Sequence, residues 1–203
     1  MSEFFLELFS EEIPAGLQGN LRNVLLEKFQ RLFEEKQILF KKGSSFSTPN
    51  RLIILFEGLS KEITQKAEEI KGPNINAPEK ALEGFLRSNQ IDKKYLLIKK
   101  IEKGEFYFFK KPSKKINTID LLEEHTPLIL DNLQWKKSMK WGKYSLNWAR
   151  PLKSILAIFD GKSLNFKFHH LISSNKTFTD KEFEDKKKIF KNFKSYKIFF
   201  KQS

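Results

Sequence analysis

Phenylalanine occupies 21 of the 203 positions, and this restricts what the chain can fold into more than any other feature. Each ring carries roughly 150–250 Å² of surface that folding has to remove from water, so the core must be built around rings. The hydrophobic share of 39% lies below the usual globular value, and the phenylalanines compensate for scarce Ala and Val. A chain of this length buries roughly 70% of the surface its unfolded form exposes, so one large domain or two small ones are expected. There is no cysteine, which excludes a disulfide framework and a thiolate metal site and fits a reducing compartment, by default the cytoplasm. Met1-Ser2-Glu3-Phe4-Phe5-Leu6-Glu7 is acidic where a signal peptide is basic, and no apolar run approaches the roughly 20 residues of a membrane span. A soluble protein with no membrane partner is expected.

The formal charge of +13 points toward nucleic acid, because clustered Lys and Arg release counterions from a phosphate backbone. Only five of the 38 basic residues are Arg (Arg22, Arg31, Arg51, Arg87 and Arg150). Richness in Lys, Phe, Ile and Asn together is the drift expected of an AT-rich gene, so part of the charge reads as mutational bias.

Along the chain, Phe4 to Phe9 reads as a strand. After the turn at Ile13-Pro14-Ala15, Leu21, Val24, Leu25, Phe29, Leu32 and Phe33 recur at helical spacing until Lys41-Lys42-Gly43. Residues 45–59 read as extended structure broken by Thr48-Pro49-Asn50, with Leu52 to Phe56 a buried strand. A second helix is expected over 77–89, with Asn76 as its cap. Leu96 to Ile101 and Glu105 to Phe109 form a hairpin around Lys103-Gly104. Thr118 is the expected cap of a helix reaching about Leu133, with Glu123 or Glu124 near its positive end. Leu152 to Phe159 and Leu164 to Phe168 enclose a turn at Asp160-Gly161. From Thr179 the composition turns to Lys, Phe, Asp and Glu without convincing structure.

Hairpins outnumber crossovers, so the expected class is α+β, with antiparallel sheets and helices packed on one face. The organisation reads as a strand-helix-strand part (1–60), a helix and hairpin part (61–117), a helix with a Trp/Lys-rich segment and hairpin (118–178), and a Lys-rich tail (179–203). Two subdomains would meet near 60–80 or 112–118.

No glycine-rich phosphate loop, metal-spaced cluster or nucleophile motif is present. His125 stands alone and reads as structural or surface. His169-His170 would need partners that the sequence does not show to hold a metal, and a strand-end role is favoured. Glu7, Glu11 and Glu12 are read as helix-end electrostatics and interface contacts. The richest segment is Trp135-Lys136-Lys137-Ser138-Met139-Lys140-Trp141-Gly142, followed by Trp148-Ala149-Arg150-Pro151. Rings interleaved with cations are what splayed RNA needs, with rings against bases and cations against phosphates. The other reading makes Trp141 and Trp148 core residues with Lys on the wet face, and composition alone leans slightly that way.

Six ordered blocks carry a family resemblance. They are Phe5-Leu6-Glu7-Leu8-Phe9-Ser10-Glu11-Glu12-Ile13-Pro14-Ala15, Phe46-Ser47-Thr48-Pro49-Asn50-Arg51-Leu52, Lys71-Gly72-Pro73, Gly84-Phe85, Lys103-Gly104-Glu105 and Lys137-Ser138-Met139-Lys140-Trp141-Gly142. With Arg150-Pro151, they resemble in order and spacing the β subunit of the bacterial two-subunit glycyl-tRNA synthetase. In that family the α subunit carries the class II aminoacylation site, with its ATP and glycine pockets, and the β subunit contributes to tRNA recognition. The resemblance implies a role in charging tRNA with glycine. It implies no catalytic residue or cofactor in this chain, with ATP and Mg on a partner α subunit.

It covers only the amino-terminal third or so of the longer family chain, without the HD-like and anticodon-binding domains, and three readings stay open: a fragment whose remainder is another polypeptide, a decaying gene product, or an independent tRNA-binding module. A Gly-His-Arg-Phe motif that usually follows the block ending at Phe178 is replaced by Thr179-Asp180-Lys181. The expected RNA-binding residues are Lys136, Lys137, Lys140, Arg150 and Lys153, with Arg51 and Arg87 as secondary candidates. The rival reading is a protein-interaction scaffold, or the remnant of a truncated subunit, with little RNA binding. A free-standing hydrolase built on His169, His170 and the early Glu residues is a third.

Overall fold

Strand β1 (Glu3–Ser10) is buried almost throughout, which is why its sequence is a nearly unbroken apolar run: a central strand covered on both faces has no wet side to mark with polar residues. The computed structural model describes residues 2–65, 67–101, 104–135, 138–179 and 186–202. After β1 come α1 (Ala15–Glu35), β2 (Lys42–Thr48), β3 (Arg51–Glu57), β4 (Glu62–Gln65), β5 (Glu68–Asn74), α2 (Glu79–Asn89), β6 (Leu96–Ile101), β7 (Gly104–Lys111) and β8 (Lys114–Asn117). Helix α3 (Thr118–Asp131) follows, then β9 (Met139–Lys140), β10 (Asn147–Trp148), β11 (Leu152–Phe159), β12 (Lys162–Ser163), β13 (Lys167–Phe168), β14 (Leu171–Ile172), β15 (Lys176–Phe178), β16 (Lys187–Ile189) and α4 (Phe193–Gln202). The architecture is α+β with antiparallel sheets, as expected, but the main sheet carries helices on both faces and not on one, because its central strand has apolar side chains on both sides. No helix among the described residues is long and apolar enough to cross a membrane.

The chain forms two compact units, Met1–Ile63 with Asn117–Ser203, and Thr64–Ile116. The first is built on a five-stranded sheet in the order β12-β11-β1-β3-β2. Phe4 pairs with Phe159 on one side and Phe56 on the other. Alternation sends Phe4, Leu6 and Leu8 to one face and Phe5, Glu7 and Phe9 to the other. Helix α1 packs on the first face, where Phe29 lies 5.2 Å from Phe4 and Phe33 meets Phe56 edge-on at 4.9 Å. Helix α4 covers the second face: Tyr196 and Phe193 meet Phe5 at 4.9 and 5.2 Å, and Ile53, Leu55, Leu156, Ile158 and Phe190 complete the cluster. The segment read from composition as a Lys-rich tail thus holds β16 and α4. Phe193, Tyr196 and Phe200 recur at helical spacing and give that helix its apolar stripe.

Several boundaries move for local reasons. Helix α1 stops at Glu35 because the chain reverses at Gln37, whose φ is +58°. Helix α2 starts after Pro78 instead of being capped by Asn76, which lies in a turn and donates its N–H to Asn74 Oδ1 at 2.9 Å. Asn117, not Thr118, caps α3, its Oδ1 accepting from Ile119 N at 3.1 Å. Thr118 is the first helical residue, and its hydroxyl donates to the Ser60 carbonyl. At Asp160-Gly161 both residues have positive φ, as a two-residue hairpin turn requires, although β12 ends at Ser163 and β13 begins only at Lys167.

The second unit packs α2 against a three-stranded sheet, β5-β7-β6. Gly72 lies against the Phe85 ring so closely that an added Cβ would sit 3.0 Å from it. Lys71 lies over the Phe106 ring at 3.7 Å, and Lys99 pairs with Glu69.

A charged group sits inside the first unit. Glu7 is fully buried and Arg51 is 7% exposed, with Nη1 donating to Glu7 Oε2 at 2.9 Å and to Thr177 Oγ1 at 3.1 Å. Nη2 donates to the Phe178 carbonyl at 2.6 Å. The hydroxyls of Thr177 and Tyr196 donate to the Glu7 carboxylate, and the guanidinium lies between the rings of Phe9 and Phe200, 4.5 Å from each. Burial pushes the Glu7 carboxyl above the ordinary range, against the pull of Arg51 and the two hydroxyls. It pushes the Tyr196 phenol up as well, helped by the Glu7 charge. Removing one member leaves an unpaired buried charge, so Arg51→Met should cost about 3–5 kcal/mol. The double variant Glu7→Gln/Arg51→Met should lose less than Arg51→Met alone, and urea unfolding of both variants checks this.

Candidate nucleic-acid interface

Residues 138–153 run through β9, a turn at Gly142 with φ +58°, β10 and the start of β11. The short hairpin pairs Trp148 with Met139 and Asn147 with Lys140. Trp148 is 1% exposed, packed against Trp135 at 4.5 Å and Phe168 at 5.9 Å. The Trp141 indole N–H donates to the Trp148 carbonyl at 3.2 Å. Trp148 is therefore a core residue and cannot stack on a base, whereas Trp141 is half-buried and lines a recess.

The expected cations separate. Lys136 and Lys137 lie outside the described residues. Lys140 and Arg150 are exposed, the latter donating from Nε to the Glu12 carbonyl at 3.1 Å. Lys153 is half-buried, 3.7 Å from Glu11 Oε1. Arg87 is exposed on α2 in the second unit. Arg51 is a correction: its guanidinium is taken up in the buried network and offers no fork to a phosphate.

The early carboxylates also divide. Glu7 is the core partner of Arg51 and not a helix-end charge, while Glu11 faces Lys153. Glu123, expected near the positive end of α3, instead accepts the Asn165 N–H at 2.7 Å. His125 Nδ1 is 3.2 Å from the Leu121 carbonyl, a local helix contact.

Beside the hairpin is a recess of about 590 Å³, walled by Trp141, Tyr144, His170 and Phe178, with Pro151 and Lys153 at its side. Tyr144 and His170 stack with centroids 3.7 Å apart and planes 11° from parallel. Tyr144 and Phe178 were missed in the sequence because nothing in their spacing links them; the fold alone brings 144, 170 and 178 together. His169, at the turn between β13 and β14 with φ +51°, is held at both ring nitrogens. Nδ1 lies 3.0 Å from Ser145 Oγ and Nε2 lies 3.1 Å from Asp131 Oδ1, which ties the turn to the end of α3. Among the described residues no three His, Asp or Glu side chains converge as a metal would need.

The geometry thus defines an α+β module whose distinctive surface is a ring-walled recess with lysine and arginine nearby. A family model described as glycyl-tRNA synthetase beta subunit matches residues 4–203, and the chain belongs to that family. Relatives named glycine–tRNA ligase beta subunit include those of Rickettsia conorii, 40% identical over 197 residues covering 97% of this chain and 30% of that protein, and Rickettsia bellii, 39% identical with the same coverage. That of Rickettsia felis is 42% identical over 175 residues, covering 86% of this chain and 26% of that protein. The chain spans 30% or less of the length of these relatives.

Two measurements check the site. Trp148→Ala removes a fully buried indole and should destabilise the protein by about 3–5 kcal/mol, read by thermal or urea unfolding. His170 is an exposed residue, and the partial loss of solvent around its ring, and next the neighbouring His169, hold its pKa below the ordinary 6.5. Its contribution to stability is therefore complete above that value and is lost as pH falls through the depressed one. An imidazole NMR titration should place the His170 midpoint below 6.5.

Proposed function

We propose that this chain is the tRNA-contacting amino-terminal part of a glycine–tRNA ligase β subunit, contributing tRNA binding and subunit assembly to the ATP-dependent charging of tRNA with glycine in the cytoplasm. The single observation that carries this reading is the family match over residues 4–203. It is supported by the exposed cations Lys140, Lys143 and Arg150 on and beside the hairpin. Lys and Arg at the surface attract a phosphate backbone without reading its sequence. The chain has no glycine-rich phosphate loop, and no acidic cluster for a metal forms among the described residues. The resemblance to the family's β subunit, and not anything lacking in this chain, supports assigning ATP and Mg to a separate α subunit.

Binding of a glycine tRNA transcript should weaken as salt rises, with a slope of about 0.7–0.9 per phosphate contact. Lys140→Gln and Arg150→Gln should each lower that slope by about one contact, measured by fluorescence anisotropy. A salt-independent affinity would overturn the reading.

One observation favours a second reading, a scaffold that holds the synthetase subunits together. A groove of about 770 Å³ is walled by Pro14, Leu17, Trp135 and Met139, Met139 is 55% exposed, and the buried Trp135 indole N–H has no acceptor among the described residues. Mixing the protein with the α subunit and with tRNA separately discriminates the two: retention of the α subunit without a tRNA shift selects the scaffold.

A further inference from the structure

The recess beside the hairpin differs from a flat cationic surface in both shape and lining. At about 590 Å³ it falls within the size range of small-molecule sites, roughly 300–1,000 Å³. Tyr144 and His170 already form a parallel stack at 3.7 Å, Tyr144 is 45% exposed and His170 is exposed as well, so the stacked pair is reachable from solvent. Trp141 is held in place by its hydrogen bond to the Trp148 carbonyl. Phe178 is fixed by Phe9 at 5.1 Å, and its carbonyl is bound to Arg51. These walls are set before any ligand arrives. The hairpin that supplies Trp141 and Tyr144 also carries Lys140 and Lys143, both exposed, and Lys153 lines the side of the recess.

From this we infer that the recess is a binding site for one unstacked RNA base, seated against the Trp141, Tyr144 and His170 rings while Lys140 and Lys143 meet the phosphates on either side of it. Charge complementarity selects this occupant, because a recess with Lys153 at its side, and with Lys140 and Lys143 exposed on the hairpin that supplies two of its rings, suits a base that arrives attached to phosphates better than an apolar side chain of a protein. The rings are flat and carry few polar groups, so the site takes any base by its π-face. Its preference is for unpaired nucleotides, not for a sequence. The neutral state of His170 favoured by its surroundings keeps that wall of the recess a flat, uncharged surface. The inference rests on the tRNA-binding reading and deepens it from backbone attraction to the capture of a single base.

The test uses the full chain and two single-stranded RNA hexamers of equal charge, one carrying 2-aminopurine at its centre and the other abasic at that position. Stacking of one base is expected to favour the first by about tenfold or more and to quench its fluorescence. Tyr144→Ala and His170→Ala should remove most of that preference and of the quenching, with the salt dependence of binding unchanged. Tyr144→Phe should retain both, which separates loss of a stacking surface from loss of the fold. Equal, salt-dependent binding of the two hexamers by the unaltered protein would overturn the base site while leaving the backbone reading standing. Binding of neither hexamer would overturn both.

Discussion

The structure turns on a carboxylate and a guanidinium placed where neither should be comfortable. Glu7 lies on the central strand and Arg51 at the start of its neighbour, and taking both from water costs several kcal/mol per ion. What offsets this is the completeness of the bonding. The carboxylate receives Arg51, Thr177 and Tyr196, while the guanidinium reaches a carboxylate, a hydroxyl and a carbonyl and rests between two rings. A lysine has neither the fork nor the plane to do this. Four elements, β1, β3, β15 and α4, converge on the pair, so the network specifies their arrangement even where its net contribution to stability is small.

From that centre the constraint runs outward to the surface. Thr177 and Phe178 belong to β15, and both are bound to Arg51. The Phe178 ring packs on Phe9 with one side and walls the recess with another. The hairpin bearing Trp141 and Tyr144 is anchored by Trp148, which is 1% exposed and packs on Trp135 and Phe168. The recess therefore stands on two rigid supports, a buried ion pair beneath one wall and a buried indole beneath the other. Its shape follows from groups that face away from it.

Much of the scaffold could be read from local pattern. The 3.6-residue recurrence of Leu21, Leu25, Phe29 and Leu32 marks α1, all four being buried. The apolar run of β3 and the Asp160-Gly161 turn were visible for the same reason: short-range periodicity and turn chemistry are written in neighbouring residues. What escaped depends on distance in sequence. Glu7 and Thr177 are 170 positions apart, and no spacing rule pairs them, so Arg51 looked like a free cation and Glu7 like a helix-end charge. Trp148 looked as available as Trp141 because composition does not say which ring faces inward. Helix α4 was hidden by its lysines, since Lys194, Lys197 and Lys201 dominate its wet face and its ring stripe has meaning only against Phe5 and Phe190.

Charge alone would have misled in both directions. A total of +13 suggests cations spread over a binding surface, yet the Arg51 guanidinium is consumed in the core, and Lys153 faces Glu11. The cations left exposed on the hairpin are lysines, point charges that attract a backbone without fixing its orientation. Orientation must then come from something with shape. In this fold the flat surfaces carried by the same hairpin as those lysines are the Trp141 and Tyr144 rings of the recess. Under the proposed base site the division of labour would follow from the side chains themselves: mobile ammonium groups would bring a polyanion close, and fixed rings would decide how it lies.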